Sequence, residues 1–155
     1  MNIVELLRKE VLSRIDLGGY IACDGGCVVG DVLKKMRESR VSAVLVEVEG
    51  RVAGIFTERD VLTKIADATS TWGQPVAKFM TRDPQSLGVQ ESIGEALRLM
   101  NNGHYRNVPI VDEEGRIEGN LPQHEIIHFL SDQFPKDIYN LPPDPERIPH
   151  TKEGA

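Results

Sequence analysis

At 155 residues and 17.2 kDa, the chain is long enough for one compact domain or for two small units that share a core. Its 40% hydrophobic and 27% charged residues are ordinary for a soluble globular protein, and no stretch approaches the ~20 apolar residues that span a membrane. A net charge of −6 argues against a nucleic-acid partner but leaves room for a small anion held by one or two local arginines.

The opening stretch IVELLRKEVLSRI carries charge throughout, which predicts a helix over residues 1–16 rather than a leader, and a cytoplasmic location. Val4, Leu7, Val11 and Ile15 fall at three- and four-residue steps and predict an apolar stripe packed on the helix's own domain. Tyr20-Ile21-Ala22 reads as a short strand. Cys23 and Cys27 follow in CDGGC, a spacing that fits neither the common redox pair nor a metal site, and read as plain thiols. A helix comes next, with Val29, Val32, Leu33 and Met36 on one face. Two β-rich runs around a Gly-containing turn, 43–48 and 52–56, predict a hairpin, and a helix over 58–67 closes the unit.

The same order then recurs. GDVLKKM at 30–36 matches GEALRLM at 94–100 with an offset of 64, and VLVEVEGRVAGIF at 44–56 matches PIVDEEGRIEGNL at 109–121 with an offset of 65. Two matched blocks at nearly constant offset define an internal repeat, with one residue inserted between the blocks. The second copy has the apolar stretch Gln85-Ser86-Leu87, a helix with Ile93, Ala96, Leu97 and Met100, strands at 108–111 and 116–121, and a helix over 123–134. The expected fold is α/β (α+β), with tandem β-α-β-β-α units at 17–68 and 83–134 and a connector at 69–82. The proline- and charge-rich tail at 135–155 is expected to be irregular.

The segment GIFTERD at 54–60 places a strand end before a helix start. Thr57 and Asp60 suit a capping box there. The same junction also suits a nucleotide: backbone N–H groups and the Thr57 hydroxyl face a phosphate, and the Asp60 carboxylate accepts from a ribose diol. The spacing leaves both readings open. His104, His124 and His128 lack the further ligands a zinc site needs.

The paired units, GIFTERDVL, FMTRDP at 79–84 and RNVPIVDEEGRIEG together resemble a pair of cystathionine β-synthase (CBS) domains, or Bateman module, over about residues 17–132. The resemblance implies a pseudo-twofold module with two clefts that commonly bind AMP, ADP, ATP or S-adenosylmethionine, and a flat homodimer. It implies a nucleotide site of Thr57, Arg59 and Asp60 from the first repeat with Ser86, Leu87, Arg106 and Asn107 from the second. Asn107 departs in part from the family's usual Arg or His. In the second cleft Pro122 stands for Thr57 and Glu125 for Asp60, opposite Val41 and Ser42, with no cation, so that cleft is expected to be vestigial.

The resemblance thus implies a stand-alone regulatory module rather than an enzyme, with no required cofactor, an adenine nucleotide as ligand and an unidentified protein as possible target. An interaction module with empty clefts is the alternative.

Overall fold

The computed structural model describes residues 2–134, so the expected irregular tail at 135–155 lies outside the described residues. Helix α1 (Ile3–Lys9) opens where the Asn2 side chain accepts the Glu5 N–H at 2.9 Å, and a 3-10 turn (Leu12–Arg14) follows. Strand β1 (Ile21–Asp24), helix α2 (Val29–Ser39), strands β2 (Ala43–Val48) and β3 (Arg51–Thr57) and helix α3 (Glu58–Asp60, continued by a wider π turn over Val61–Ile65) build the first repeat. After a connector of 3-10 turns and the short strand β4 (Thr81–Arg82) come helix α4 (Ile93–Gly103), strands β5 (Asn107–Val111) and β6 (Ile117–Pro122) and helix α5 (Gln123–Gln133). The expected strand at Gln85-Ser86-Leu87 is a single parallel bridge between Leu87 and Ile110.

β1 runs parallel to β2, and β2, β3 and β4 pair antiparallel in one sheet, while β5 and β6 form a second. Alternation along the strands divides the core. Val44, Val46 and Phe56 pack on Val29, Val32 and Met36 of α2; Val108, Ile110 and Leu121 pack on Ile93, Ala96 and Met100 of α4. Ala43, Leu45 and Ile55 point to the opposite face and meet Tyr20 and Ile117.

The strand registers relocate the inserted residue. Ala43 lies opposite Thr57 and Asn107 opposite Pro122, so β2 and β5 are related by 64 residues and β3 and β6 by 65. The extra residue sits in the hairpin turn, not between helix and hairpin. In the first repeat the turn is tight, with Glu49 and Gly50 both at positive φ (54° and 78°). In the second only Gly115 is left-handed (φ 83°), and Asp112 caps the longer loop by accepting the Glu114 and Arg116 N–H groups at 2.9 and 2.8 Å. Those bonds, the Arg116 N–H first among them, hold the Asp112 carboxyl below its usual range.

The N-terminal segment packs on the second repeat rather than the first. Leu6, Leu12 and Ile15 join the α4 core, whereas Val4 of the predicted stripe is exposed. Leu12 N–H donates to the Glu91 carbonyl at 3.0 Å and Ile93 N–H to Glu10 at 2.9 Å. The connector repeats this pattern on the first repeat: Val76 N–H donates to Cys27 at 2.8 Å and Val29 N–H to Gln74 at 2.9 Å. Each repeat is therefore closed by the segment that precedes the other.

Gly54 and Gly119, at matched positions in β3 and β6, permit these crossings. A Cβ at Gly54 falls 2.9 Å from the Thr81 carbonyl and against the Met80 sulfur; one at Gly119 falls 2.6 Å from Leu17 Cβ. Gly73 has open space around it. We therefore expect Gly54→Ala and Gly119→Ala each to lower unfolding free energy by about 1–3 kcal/mol in urea titrations, with Gly73→Ala near neutral. Two unaffected glycine variants would contradict the crossing geometry.

Both cysteines are free, and Cys23 is buried. Burial, with the neighbouring Cys27 adding to it, pushes the Cys23 thiol up to about 12. With the folded value above the ordinary one, the group stays protonated at neutral pH. At pH 8 iodoacetamide should modify Cys27 at least tenfold faster than Cys23 in the folded protein, a difference that mass spectrometry reads directly and urea abolishes.

Candidate functional site

β3 ends at Thr57 in extended backbone (φ −125°, ψ 174°), and the chain turns at once into α3. Thr57 and Asp60 form the predicted capping box, with the Thr57 N–H donating to Asp60 Oδ2 at 2.9 Å. Asp60 is 5% exposed, one of two buried polar residues among those described. A buried carboxylate needs partners on both oxygens. The Thr57 hydroxyl donates to Oδ2 at 3.4 Å, Lys64 Nζ lies 2.8 Å from Oδ1, and the Thr81 hydroxyl donates to Oδ1 at 3.4 Å. Lys64 Nζ also donates to the Phe79 carbonyl at 2.8 Å, so the network ties α3 to the connector.

This junction opens on a cleft of about 1340 Å³ that runs between the repeats. Thr57, Arg59 and Asp60 line it together with Arg106 and Asn107, so the cleft gathers five of the seven sequence-predicted residues. Ser86 and Leu87 are not among its lining; Pro84 and Gln85 are. Leu87 is instead half-buried against the second core, its N–H donating to the Pro109 carbonyl at 3.1 Å and its own carbonyl accepting the Val111 N–H at 2.9 Å. Arg59 crosses between repeats, its Nη1 donating to the His104 carbonyl at 3.3 Å, at the left-handed C-cap of α4. Arg106 is exposed and has no ion-pair partner among the described residues. Asn107 is held by the buried Asn120, whose Nδ2 donates to its Oδ1 at 3.1 Å.

The lining has a small excess of positive charge in an otherwise acidic chain. Arg37, Arg40, Arg59, Arg82 and Arg106 face the same space as Glu58, Asp60 and Asp83. The balance here, five arginines to three acids, is the reverse of the whole chain's 18 basic to 24 acidic residues.

The second end of the cleft differs from its expected form. Given the true registers, Arg106 and Asn107 correspond to Ser42 and Ala43, not to Val41 and Ser42. Those positions still hold no cation, but Arg37 and Arg40, from α2 and its C-cap, line the same space. What this end lacks is the carboxylate network. Pro122, Phe129 and Leu17 occupy the positions of Thr57, Lys64 and Thr81, so the cap, the ammonium and the hydroxyl are gone, and the acid at the Asp60 position, Glu125, stands without them. Glu125 faces His124 and His128 at 3.4 and 3.8 Å. Sequence reasoning passed over Lys64 and Thr81; the four-residue step from Asp60 to Lys64 was the available signal.

Two repeats of this pattern match the family model of the CBS domain at residues 7–67 and 76–132, and the chain belongs to that family. A CBS domain-containing protein of Arabidopsis thaliana, CBSCBSPB5, is 34% identical over 103 residues, which is 63% of this chain and 18% of that protein. The chain thus spans less than a fifth of the plant relatives it matches. Among solved structures, the CBS domain protein PAE2072 from Pyrobaculum aerophilum, complexed with AMP, superposes with a TM-score of 0.69 at 17% identity, covering 79% of this chain and 99% of its own. The CBS domain pair of MJ0100, in complex with 5-methylthioadenosine and S-adenosyl-L-methionine, gives 0.70 at 18% identity over 80% and 98%. At these identities the structural likeness establishes the fold.

Proposed function

We propose that the chain is a regulatory module that binds an adenine nucleotide — AMP, ADP, ATP or S-adenosylmethionine — in the cleft between its repeats. The observation that carries this reading is the shared cleft itself. It sets Thr57 and Asp60 of the first repeat and Arg106 of the second around one space rich in arginine. Asp60 accepts from the ribose, the Thr57 hydroxyl and Arg106 serve the phosphate, and Arg106 does so as a forked, charged donor. Arg59 and Asn107 complete the phosphate side. Solved CBS pairs complexed with AMP, or with 5-methylthioadenosine and S-adenosylmethionine, support the ligand class.

In this reading the module is regulatory rather than catalytic, requires no cofactor, acts in the cytoplasm and signals through its own assembly or a protein target. No helix among the described residues is long and apolar enough to cross a membrane. Leu62 and Ile127, at matched positions on the last helix of each repeat, are 74% and 59% exposed and are apolar positions open to a second copy. The interaction-module reading draws support from one observation, the complete internal engagement of Asp60.

Isothermal titration with AMP, ADP, ATP, S-adenosylmethionine and adenosine separates the two. The parent should bind at least one of the nucleotides, and Asp60→Ala, shown folded by circular dichroism, should bind it at least tenfold more weakly. Arg106→Ala should weaken AMP about 10- to 100-fold and adenosine less than twofold, since a charged hydrogen bond contributes roughly 1.5–3 kcal/mol. No binding by any ligand would leave the interaction module, and equal losses for AMP and adenosine would remove Arg106 from the phosphate.

A further inference from the structure

The Asp60 carboxylate carries two demands. Within the chain its Oδ1 is held by Lys64 Nζ at 2.8 Å and the Thr81 hydroxyl at 3.4 Å, and its Oδ2 by the Thr57 N–H at 2.9 Å and the Thr57 hydroxyl at 3.4 Å. A carboxylate has about four acceptor positions in all. A ribose diol that reaches Asp60 needs one acceptor on each oxygen, so it competes with groups already in place. Of these groups, the Thr57 N–H belongs to the helix cap, and the Thr57 hydroxyl is the group that turns to the phosphate in the nucleotide reading. Among the described residues, Lys64 and Thr81 alone occupy Oδ1.

Both of those groups also act on the connector. Lys64 Nζ donates to the Phe79 carbonyl at 2.8 Å, and Thr81 opens β4. Otherwise β4 is a two-residue edge strand, held by its pairing with Gly54 and Ile55, and it leads into Asp83, a non-glycine residue at φ 46°. In the other half Phe129 and Leu17 stand where Lys64 and Thr81 do, so that half has no charged link of this kind to exchange.

We propose that Lys64 is the ligand's competitor for Asp60: the ribose enters by displacing Lys64 and Thr81 from Oδ1, and that exchange loosens the connector strand at 79–82. The inference rests on the nucleotide reading above and adds to it a route from occupancy to a structural change. Binding is then weaker than the cleft's own groups allow, because the ligand first breaks an internal ion pair. The change falls on the segment that closes the first repeat, since residues 74–77 lie against Cys27 and Val29 just upstream.

Adenosine is the discriminating probe, because it carries no charge and leaves the phosphate contacts out. In isothermal titrations Lys64→Met should bind adenosine about three- to fivefold more tightly than the parent, the fold-change that corresponds to a partly exposed ion pair. Thr81→Val should shift it in the same direction by less. Hydrogen exchange gives the second readout. AMP should speed exchange of the amides at 80–83 in the parent, and in Lys64→Met those amides should exchange fast without AMP and change little with it. Equal or weaker adenosine binding by a folded Lys64→Met, or slower exchange at 80–83 with AMP, overturns the proposal while leaving the nucleotide reading intact. A parent that binds no adenine compound overturns both.

Discussion

A single buried carboxylate organises the first-repeat half of this molecule. Taking Asp60 out of water costs several kcal/mol unless its oxygens are hydrogen-bonded and its charge is paired. The chain meets that cost with the end of a strand, the start of a helix, a lysine one turn along and a threonine from the connector. Strand β3, helix α3 and strand β4 are thereby fixed to one another at the mouth of the cleft. At the matching position in the other half, Glu125 is less buried and faces two exposed histidines. One fold therefore carries one organised polar junction and one that packs through Leu17 and Phe129.

The second constraint is closure. A unit of β-α-β-β-α holds too little apolar surface to stand alone. Here the segments before each repeat are exchanged: residues 10–15 complete the core around α4, and residues 74–79 complete the core around α2. The crossings pass directly over Gly54 and Gly119. The glycine of GIFTERD thus has a packing reason, separate from any ligand. The cleft between the repeats follows from this exchange, since neither half is complete without the other.

Much of this was legible in the sequence because periodicity reports burial. Val29, Val32 and Met36, and Ile93, Ala96 and Met100, were read as helix faces and are buried as such. The hairpins were legible for the same reason, but their relative register was not. EGR and EGR align so well that the inserted residue is pushed upstream, whereas the backbone places it in the turn, where Asp112 can cap a longer loop. The exchange of segments was illegible because EVLSR and QPVAK share a backbone role with almost no residues in common. At the site, Thr57, Asp60 and Arg106 were readable from motif and order. Thr81 was not, because its contact with Asp60 spans 21 residues and depends on β4 adding to the sheet.

We propose that the two ends of the cleft are unequal, with one end built to hold a nucleotide and the other not. Native mass spectrometry of the full chain with saturating AMP tests it most directly, because it counts ligands rather than inferring them. The account predicts one AMP per chain, in whatever oligomer forms. Two per chain would show that the Pro122 end binds without the carboxylate network, and none would remove AMP from the account.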